Sequence, residues 1–331
     1  MEKRAFGRTE LSVSVLGLGC GAVGGLMVRG EPADQERAVA RAIDAGINYL
    51  DTAAMYGNGR SEENLGRVLA TLNPDALVGT KVRLRDDEKR DIARAVTASL
   101  EASLWRLGRE YVDLFQLHNP VTARDEPGAV AKDVVLNEVV PAFERLRDAG
   151  KTRFFGITAT GETDALHRVI DSGVMHSAQV PYNLLNPSSG AAVPADYPAQ
   201  DYRDLLGRMQ AKGAAGIGIR VLAGGALSGT VERHPIASPP PEPIGSARSY
   251  ADDLRRAERF RVLVSEGHAG SLAEASIRYV IAHPGISTAL IGIATLEQLE
   301  QAISAAEKGP LAEAALKRVV EVQRSLAGES R

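Results

Sequence analysis

Short apolar runs alternate along this chain with longer segments in which apolar side chains recur every three or four positions. The short runs are typical of buried strands, and the 3.6-residue period is typical of helices. Strands are expected at 14–19, 47–52, 76–82, 111–118, 152–158, 177–182, 216–222 and 287–292. Helices are expected near 33–45, 61–71, 91–107, 134–149, 162–172, 201–212, 272–283 and 295–307. This alternation predicts parallel βαβ units that close into a (β/α)8 barrel, an α/β fold of the TIM barrel type.

Two details refine this prediction. The helix expected at 91–107 carries a clear apolar face, and Trp105 at its border is interpreted as a packing residue. A further amphipathic stretch at 311–326 predicts an extra C-terminal helix outside the barrel. We expect residues 1–331 to form a single domain, because α/β barrels reach this length as one domain.

Composition and charge narrow the class of protein. The chain is 44% hydrophobic, and its 39 basic and 42 acidic side chains give a net charge of −3. No basic field points to nucleic acid or an anionic membrane as a partner. The first residues lack the apolar stretch of a signal peptide, and no apolar run reaches the roughly 18 residues of a membrane span. The single cysteine, Cys20, is interpreted as a small buried residue, and a cytoplasmic location is expected.

Four ionisable side chains lie at or just after the ends of three consecutive expected strands: Asp51, Tyr56, Lys81 and His118. In a parallel barrel these strand ends meet at the face where active sites lie. A phenol can give a proton to a carbonyl oxygen, and a nearby ammonium lowers its pKa from about 10. A carboxylate would keep the ammonium charged, and a histidine would orient the carbonyl. Each residue alone also fits a structural role, such as a buried salt bridge, but the four together favour an active site.

A glycine pattern needs a separate interpretation. Gly19, Gly21 and Gly24 spell the G-x-G-x-x-G pattern of dinucleotide-binding Rossmann units. That pattern should open directly into a helix, whereas GLMVRGEP intervenes here, so we interpret these glycines as a loop at the barrel mouth. The histidines show no paired ligand spacing and one cysteine cannot anchor a thiolate zinc site, so no metal is expected.

Several segments resemble blocks of the aldo-keto reductase family. The longest, GINYLDTAAMYGNGRSEENLG at 46–66, is similar to the family signature after the second strand. VGTKV at 78–82 and DLFQLHN at 113–119 resemble the other two catalytic segments. The resemblance covers nearly the whole chain. It implies a (β/α)8 barrel, a nicotinamide cofactor bound without a Rossmann domain, and a catalytic tetrad made of the four residues named above.

The resemblance also implies which residues hold the cofactor. Gln179 matches the glutamine that holds the nicotinamide amide, and Thr158 takes the place of a hydroxyl residue after the fifth strand. The usual asparagine beside it is replaced by Ala159, and Thr160 is a candidate substitute. The remaining implied contacts follow the seventh and eighth strands: Arg220, Leu222, Gly224, Gly292, Thr295, Gln298 and Gln301.

Three further positions depart from the family pattern. Ala294 stands where the family often has an arginine for the 2′-phosphate of NADP(H), and Ala302 where it often has an asparagine for adenine. The resemblance implies NADP(H), but without that cation we expect NAD(H) to be accepted at least comparably. Arg220 replaces an aromatic ring that would cover the nicotinamide. Its guanidinium could stack on the ring, meet an anionic or hydroxyl-rich substrate or a cofactor phosphate, or form a salt bridge at the rim.

Three long connections leave the same end of the expected barrel. The connection at roughly 223–250 contains the proline-rich ASPPPEPIGS and is either a passive surface excursion or a loop that folds over the cofactor. The connections at 119–132 and 184–200 are expected to help shape the substrate pocket.

The sequence therefore predicts an enzyme that transfers a hydride between NAD(P)(H) and a small-molecule aldehyde, ketone or sugar, with Tyr56 as the general acid and base. The substrate, the direction in the cell and the oligomeric state are left open. One alternative is an NAD-dependent sugar 1-dehydrogenase. An alternative of another class is a regulatory cofactor-binding subunit, since the family also includes potassium-channel partner proteins.

Overall fold

Eight parallel strands form a closed barrel in the computed structural model. The structure describes residues 1–329, so residues 330 and 331 of the expected domain lie outside the described part. In chain order the strands are β1 (Lys3–Ala5), β2 (Ser12–Ser14), β3 (Leu16–Gly19), β4 (Tyr49–Asp51), β5 (Leu77–Val82), β6 (Val112–Leu117), β7 (Val121–Thr122), β8 (Val130–Ala131), β9 (Thr152–Thr158), β10 (Ser177–Pro181), β11 (Ala215–Ile219) and β12 (Ile286–Gly292). The barrel runs β3, β4, β5, β6, β9, β10, β11 and β12 and closes back on β3. The predicted (β/α)8 fold is confirmed.

Helices connect the barrel strands and cover their outer face. In chain order they are α1 (Leu26–Arg29), α2 (Pro32–Asp44), α3 (Arg60–Leu72), α4 (Ile92–Leu107), α5 (Lys132–Val134), α6 (Val140–Asp148), α7 (Thr163–Asp171), α8 (Leu205–Ala211), α9 (Tyr250–Arg259), α10 (Val262–Ser265), α11 (Leu272–Ala282), α12 (Leu296–Glu307) and α13 (Glu313–Arg324). A π-helical turn, Val135–Val139, joins α5 to α6. Every expected helix is present, including the extra C-terminal one, α13. The single-domain interpretation stays a prediction.

Local sequence signals explain where these helices begin. Pro32 is the first residue of α2, where the backbone N–H that proline lacks has no partner within the helix. The side chains of Asp91, Ser271 and Thr295 each accept a hydrogen bond from a backbone N–H in the first turn of α4, α11 and α12. These caps fix the point at which the chain leaves each preceding loop.

An N-terminal hairpin covers the end of the barrel opposite the site. β1 pairs with β2 in antiparallel fashion, and Phe6, Leu11 and Val13 from this region form an apolar cluster with Tyr49 and Leu114 inside the barrel. The hairpin therefore seals the N-terminal ends of the strands, and only the C-terminal ends leave room for a ligand.

The structure differs from the sequence prediction at several places, which include the β1–β2 hairpin, α1 and the short β7–β8 pair; three other differences have a clear physical reason or bear on the site. Trp105 does not pack, because its side chain is 81% exposed while Leu104, one position earlier, is buried. The strand expected at 216–222 ends at Ile219, because Arg220 has a φ of 56° and leaves the extended conformation. The stretch after residue 250 contains α9 and α10, which the sequence pattern had not indicated.

Candidate active site

The four predicted catalytic side chains come together at the C-terminal end of the barrel. Asp51 ends β4, Lys81 is the penultimate residue of β5, and His118 directly follows β6. Tyr56 lies in the loop after β4 and faces the same space. Neighbouring parallel strands place these positions side by side, since Asp51 pairs with Gly79 in β5 and Lys81 pairs with Gln116 in β6.

A buried ion pair lies behind the tyrosine. Lys81 Nζ donates to Asp51 Oδ1 at 2.5 Å and to the Thr52 carbonyl oxygen at 2.8 Å, and neither member of the pair is more than 3% exposed. The same Nζ lies 3.3 Å from the Tyr56 hydroxyl. The ammonium is thus held on one side by the carboxylate and presents its remaining hydrogen to the phenol.

Two further donors hold the second oxygen of Asp51. Tyr49 OH donates to Oδ2 at 3.0 Å, and Gln179 Nε2 donates to the same atom at 2.6 Å. Gly79 makes room for this arrangement, because a Cβ there would lie 2.4 Å from the Tyr49 hydroxyl. With both oxygens bonded, the carboxylate cannot rotate away from Lys81.

The electrostatics of the site partly differ from the expectation. Burial lowers the pKa of Lys81, but Asp51 and Tyr56 outweigh it, so the net pKa is raised and the amine stays charged. We expected Lys81 to bring the pKa of Tyr56 below its usual value. Instead burial raises the pKa of Tyr56, and Lys81 only opposes that rise. Tyr56 is therefore a neutral phenol, the form that can donate a proton.

His118 lies edge-on to Tyr56, with ring centroids 5.5 Å apart and an interplanar angle of 83°. Burial lowers the pKa of His118 well below its usual range, and the charges of Lys81 and Arg83 lower it further. The imidazole is therefore neutral near pH 7. Its Nδ1 has no hydrogen-bond partner among residues 1–329. A neutral imidazole in this position can donate one N–H to a carbonyl oxygen that approaches Tyr56.

A cavity of about 650 Å³ opens above these residues. Asp51, Tyr56 and His118 line it, whereas Lys81 lies behind its wall, fully buried. Its volume lies in the range of sites for small molecules and cofactors, about 300–1,000 Å³.

The predicted cofactor residues can be placed against this cavity. Eight of them line it: Thr158, Gln179, Arg220, Leu222, Gly224, Gly292, Gln298 and Gln301. Thr295 does not line it, because its hydroxyl caps α12 and accepts from the Gln298 backbone N–H. Gln298 completes this cap, since its Oε1 accepts from the backbone N–H of Ala294 at 2.7 Å.

Two observations test whether a nicotinamide cofactor fits here. Thr158 Oγ1 is buried at the cavity wall without a hydrogen-bond partner among the described residues, as expected of a group that bonds to a ligand. Gly24 lies so close to the loop after β12 that a Cβ would come within 2.2 Å of the Ile293 backbone nitrogen. The interpretation of Gly24 as part of a barrel-mouth loop agrees with this close approach, and the free Thr158 hydroxyl gives the cavity a polar group that can bond to the cofactor.

The substitutions noted in the sequence change the chemistry of the wall. Thr160 lines the cavity beside Thr158, whereas Ala159 is buried outside it. Ala294 is 4% exposed and lies off the wall. Within residues 1–329, the wall receives no Lys or Arg from α12 or from the loop that precedes it, and Glu274 of α11 is one of the lining residues.

Arg220 faces the cavity from the end of β11. Its guanidinium forms no ion pair and no hydrogen bond with any residue from 1 to 329, so the described residues give no support to a rim salt bridge. Burial lowers the pKa of Arg220, and the neighbouring Tyr56 and Asp253 side chains oppose that shift. The φ of 56° directs the side chain inward at the cost of backbone strain, which is found preferentially at functional sites.

The three long connections at the mouth of the barrel contribute different numbers of residues to the cavity wall. Ala237, Pro243 and Ile244 from the proline-rich connection line the cavity, which favours its role as a cover over a surface excursion. The connection at 119–132 supplies only Pro120. The expectation for 184–200 is wrong, because none of its residues lines the cavity. Asn183 and Asn186 fold that segment back on itself.

Arg83 is a wall residue that the sequence interpretation missed. It lies two positions after Lys81, and residues i and i+2 of a strand point to the same face. That spacing is the sequence signal for Arg83, and it is weakened because β5 ends at Val82, one position before Arg83.

A (β/α)8 barrel with an ion-paired lysine behind a cavity-facing tyrosine defines a class of oxidoreductases that act on carbonyl and alcohol groups. The Aldo/keto reductase family profile matches residues 15–324, and the chain belongs to this family. Members of the family use a nicotinamide cofactor.

Similar proteins match nearly the whole length of the chain. The L-galactose dehydrogenase of Arabidopsis thaliana is 30% identical over 312 residues, which cover 92% of this chain and 88% of that protein. The pyridoxal 4-dehydrogenase of Microbacterium luteolum is 28% identical over 335 residues, which cover 91% of each chain. The aldo-keto reductase AKR11C1 from Bacillus halodurans, solved in a holo form, has the same fold: the TM-score is 0.73 at 24% identity, and the match covers 97% of this chain and 96% of that one.

Across residues 1–329, no helix is long and apolar enough to cross a membrane. The cytoplasmic location stays a prediction.

Proposed function

We propose that this protein transfers a hydride between NAD(P)(H) and a small carbonyl or alcohol substrate, with Tyr56 as the general acid and base. The observation that carries the proposal is the chain of contacts from Asp51 through Lys81 Nζ to the Tyr56 hydroxyl, 3.3 Å away, at the floor of the cavity. The bound cofactor would supply or accept the hydride at the carbonyl carbon. The protein would supply the proton and the geometry.

In the direction of reduction, Tyr56 donates its proton to the carbonyl oxygen as the hydride reaches the carbon. Lys81 stabilises the phenolate that remains, because its ammonium opposes the effect of burial on the pKa of Tyr56. His118, held neutral, donates a hydrogen bond that orients the same oxygen. In the direction of oxidation, the phenolate removes the alcohol proton.

We further infer that NAD(H) is accepted at least as well as NADP(H). A 2′-phosphate needs a cation, and the β12–α12 segment within the described part of the chain presents none to the cavity. Glu274 also lines the cavity, and its carboxylate holds Arg278 and Lys308, so these two cations are engaged and not free for a phosphate. Oxidation of a sugar by NAD is the second candidate function. The likeness to an L-galactose dehydrogenase favours it.

The decisive experiment is Tyr56→Phe, which removes one hydroxyl and keeps the ring. Turnover of a panel of aldehydes, ketones and sugars, followed by the absorbance of the reduced nicotinamide, should fall by about 100-fold or more. Cofactor affinity, measured by fluorescence titration, should hold. Tyr111→Phe is the matched control, because Tyr111 is 40% exposed and lies outside the cavity.

Near-normal turnover in Tyr56→Phe would falsify the assignment. Wild-type protein that binds the cofactor tightly but turns over no substrate in the panel would favour the regulatory subunit over the enzyme.

A further inference from the structure

Arg83 is an exposed cation at the edge of the active site without a counter-ion. It follows β5, lines the cavity, and contributes to lowering the pKa of His118 through its charge. Its guanidinium makes no hydrogen bond and no ion pair with any residue in the described range 1–329. The Arg83 guanidinium is therefore available to bind a ligand that enters the cavity.

The other cations near Arg83 do have carboxylate partners. Arg85, two positions later, pairs with Asp87 and Glu88. Lys89 pairs with Asp86 and Asp125. The acidic side chains of the loop after β5 thus pair with other cations. Arg83 has no such partner, and it lies on the side of the loop that faces the catalytic residues.

The barrel geometry separates Arg83 from the side where the cofactor is expected. β5 and β11 lie four strands apart in the closed barrel of eight, so the residues that follow them face each other across the mouth. Arg220 follows β11 together with Leu222 and Gly224, on the side of the predicted cofactor contacts. Arg83 lies on the opposite side of Tyr56, beside His118, where the part of a substrate beyond its carbonyl must extend.

The carboxylates of the cavity wall do not offset this charge. Asp51 is occupied by Lys81, and Glu274 is occupied by Arg278 and Lys308. The third carboxylate of the wall, Glu232, belongs to the connection after β11, on the side of the mouth opposite β5. The cavity next to His118 therefore carries the positive charge of Arg83 with no carboxylate bonded to it, and a charge at the mouth of a cleft attracts ligands of opposite charge.

We propose that the substrate carries an anionic group, a carboxylate or a phosphate ester, and that Arg83 binds it while Tyr56 and His118 hold the carbonyl. A guanidinium matches either group, because its planar N–H donors can make two parallel hydrogen bonds to two oxygens. This inference rests on the proposed function for the position of the carbonyl. It makes Arg83 a residue that determines substrate specificity.

A matched pair of aldehydes tests the proposal on the protein saturated with cofactor. 4-Carboxybenzaldehyde and 4-nitrobenzaldehyde have planar para groups of similar shape, and only the first is an anion. For Arg83→Met the KM of the carboxylate should rise about 10-fold, the lower end for a charged hydrogen bond because the site is exposed. The KM of the nitro compound should change by no more than about twofold. Arg83→Lys should restore part of the difference.

Arg85→Met is the matched control, because it removes a charge two positions away that does not line the cavity; it should change neither KM. Arg220→Met separates the two sides of the mouth. If Arg220→Met and not Arg83→Met weakens binding of the carboxylate, the anion site belongs to the cofactor side and the proposal is wrong. Equal effects of Arg83→Met on both aldehydes, or no effect on either, would also overturn it.

Calorimetry distinguishes a failure of this proposal from a failure of the proposed function. If the wild-type protein turns over neither aldehyde, the dissociation constants of 4-carboxybenzaldehyde for wild type and Arg83→Met still measure the anion site. Loss of turnover in Tyr56→Phe, together with weaker binding of 4-carboxybenzaldehyde to Arg83→Met, would support both proposals. A dissociation constant that is unchanged in Arg83→Met would remove only the anion site.

Discussion

Replacing Lys81 by Met isolates the role of the buried ion pair. Methionine has a similar length and no charge, so the change removes the ammonium while largely filling its volume. It leaves Asp51 buried, 2% exposed, without its counter-ion. Tyr49 and Gln179 still donate to that carboxylate. Breaking a buried pair costs about 3–5 kcal/mol, and with these two donors in place we expect a loss of about 3 kcal/mol near pH 8.

The loss should depend on pH in a defined direction. Burial already raises the pKa of Asp51 against the effect of Lys81, and without Lys81 the folded pKa rises further. The Asp51 carboxyl then loses its proton at a lower pH in the unfolded chain than in the folded chain. At pH values between these two pKa values, the unfolded chain binds fewer protons than the folded chain. The free energy of unfolding of the variant relative to wild type should therefore fall with rising pH, by up to about 1.4 kcal/mol per unit, until the folded carboxyl is ionised.

The same substitution should change catalysis. Lys81 lowers the pKa of Tyr56 against burial, so its removal raises that pKa further. The alkaline limb of the oxidation rate, which depends on the phenolate, should move to higher pH.

Urea denaturation at pH 5 and pH 8 and a pH profile of the oxidation rate measure both effects. Lys317→Met is the control, because Lys317 and Glu313 form an exposed pair on α13, and its loss should cost less than about 1 kcal/mol. If Lys81→Met lowers the free energy of unfolding at pH 8 by less than about 1 kcal/mol, the buried Lys81–Asp51 pair contributes no more than an exposed pair does. A lower rate with an unshifted profile would mean that Lys81 does not set the pKa of Tyr56.

Two further predictions concern the cofactor wall and the surface. Glu274→Gln should shift the ratio of NADP to NAD affinity towards NADP by several-fold, because it removes a negative charge from the wall and frees Lys308 and Arg278. Fluorescence titration of both cofactors measures this ratio; an unchanged ratio would mean that Glu274 is remote from the 2′ position. Trp105→Ser should change the free energy of unfolding by less than about 1 kcal/mol, because the side chain is 81% exposed, and a loss of about 3 kcal/mol in urea denaturation would restore its packing role.

The sequence predicted the fold because its signals are local and repeated. Each barrel strand is a short apolar run, and each helix carries an apolar face, so the alternation alone indicates a parallel barrel. The tetrad positions followed from the same reasoning, since a residue at a strand end must lie at the barrel mouth. Trp105 shows the limit of predicting burial from periodicity. It directly follows the buried Leu104 in α4, yet this single step turns its side chain towards solvent.

Features that depend on two distant segments were decided only by the tertiary structure. The bond from Gln179 to Asp51 joins residues 128 positions apart and could not be foreseen from either segment. The net rise in the pKa of Tyr56 is another case, because burial by the whole site outweighs the one charge that the sequence places beside it.

The sequence by itself thus determined the barrel, the four strand-end residues and the family, because periodicity and spacing are properties of short segments. Only the tertiary structure decided which charges are paired. Arg83 and Arg85 are the same residue type two positions apart, yet Arg85 has carboxylate partners and Arg83 faces the cavity without one among the described residues. Pairing depends on which segments the fold brings within a few ångströms, and no local pattern encodes that distance.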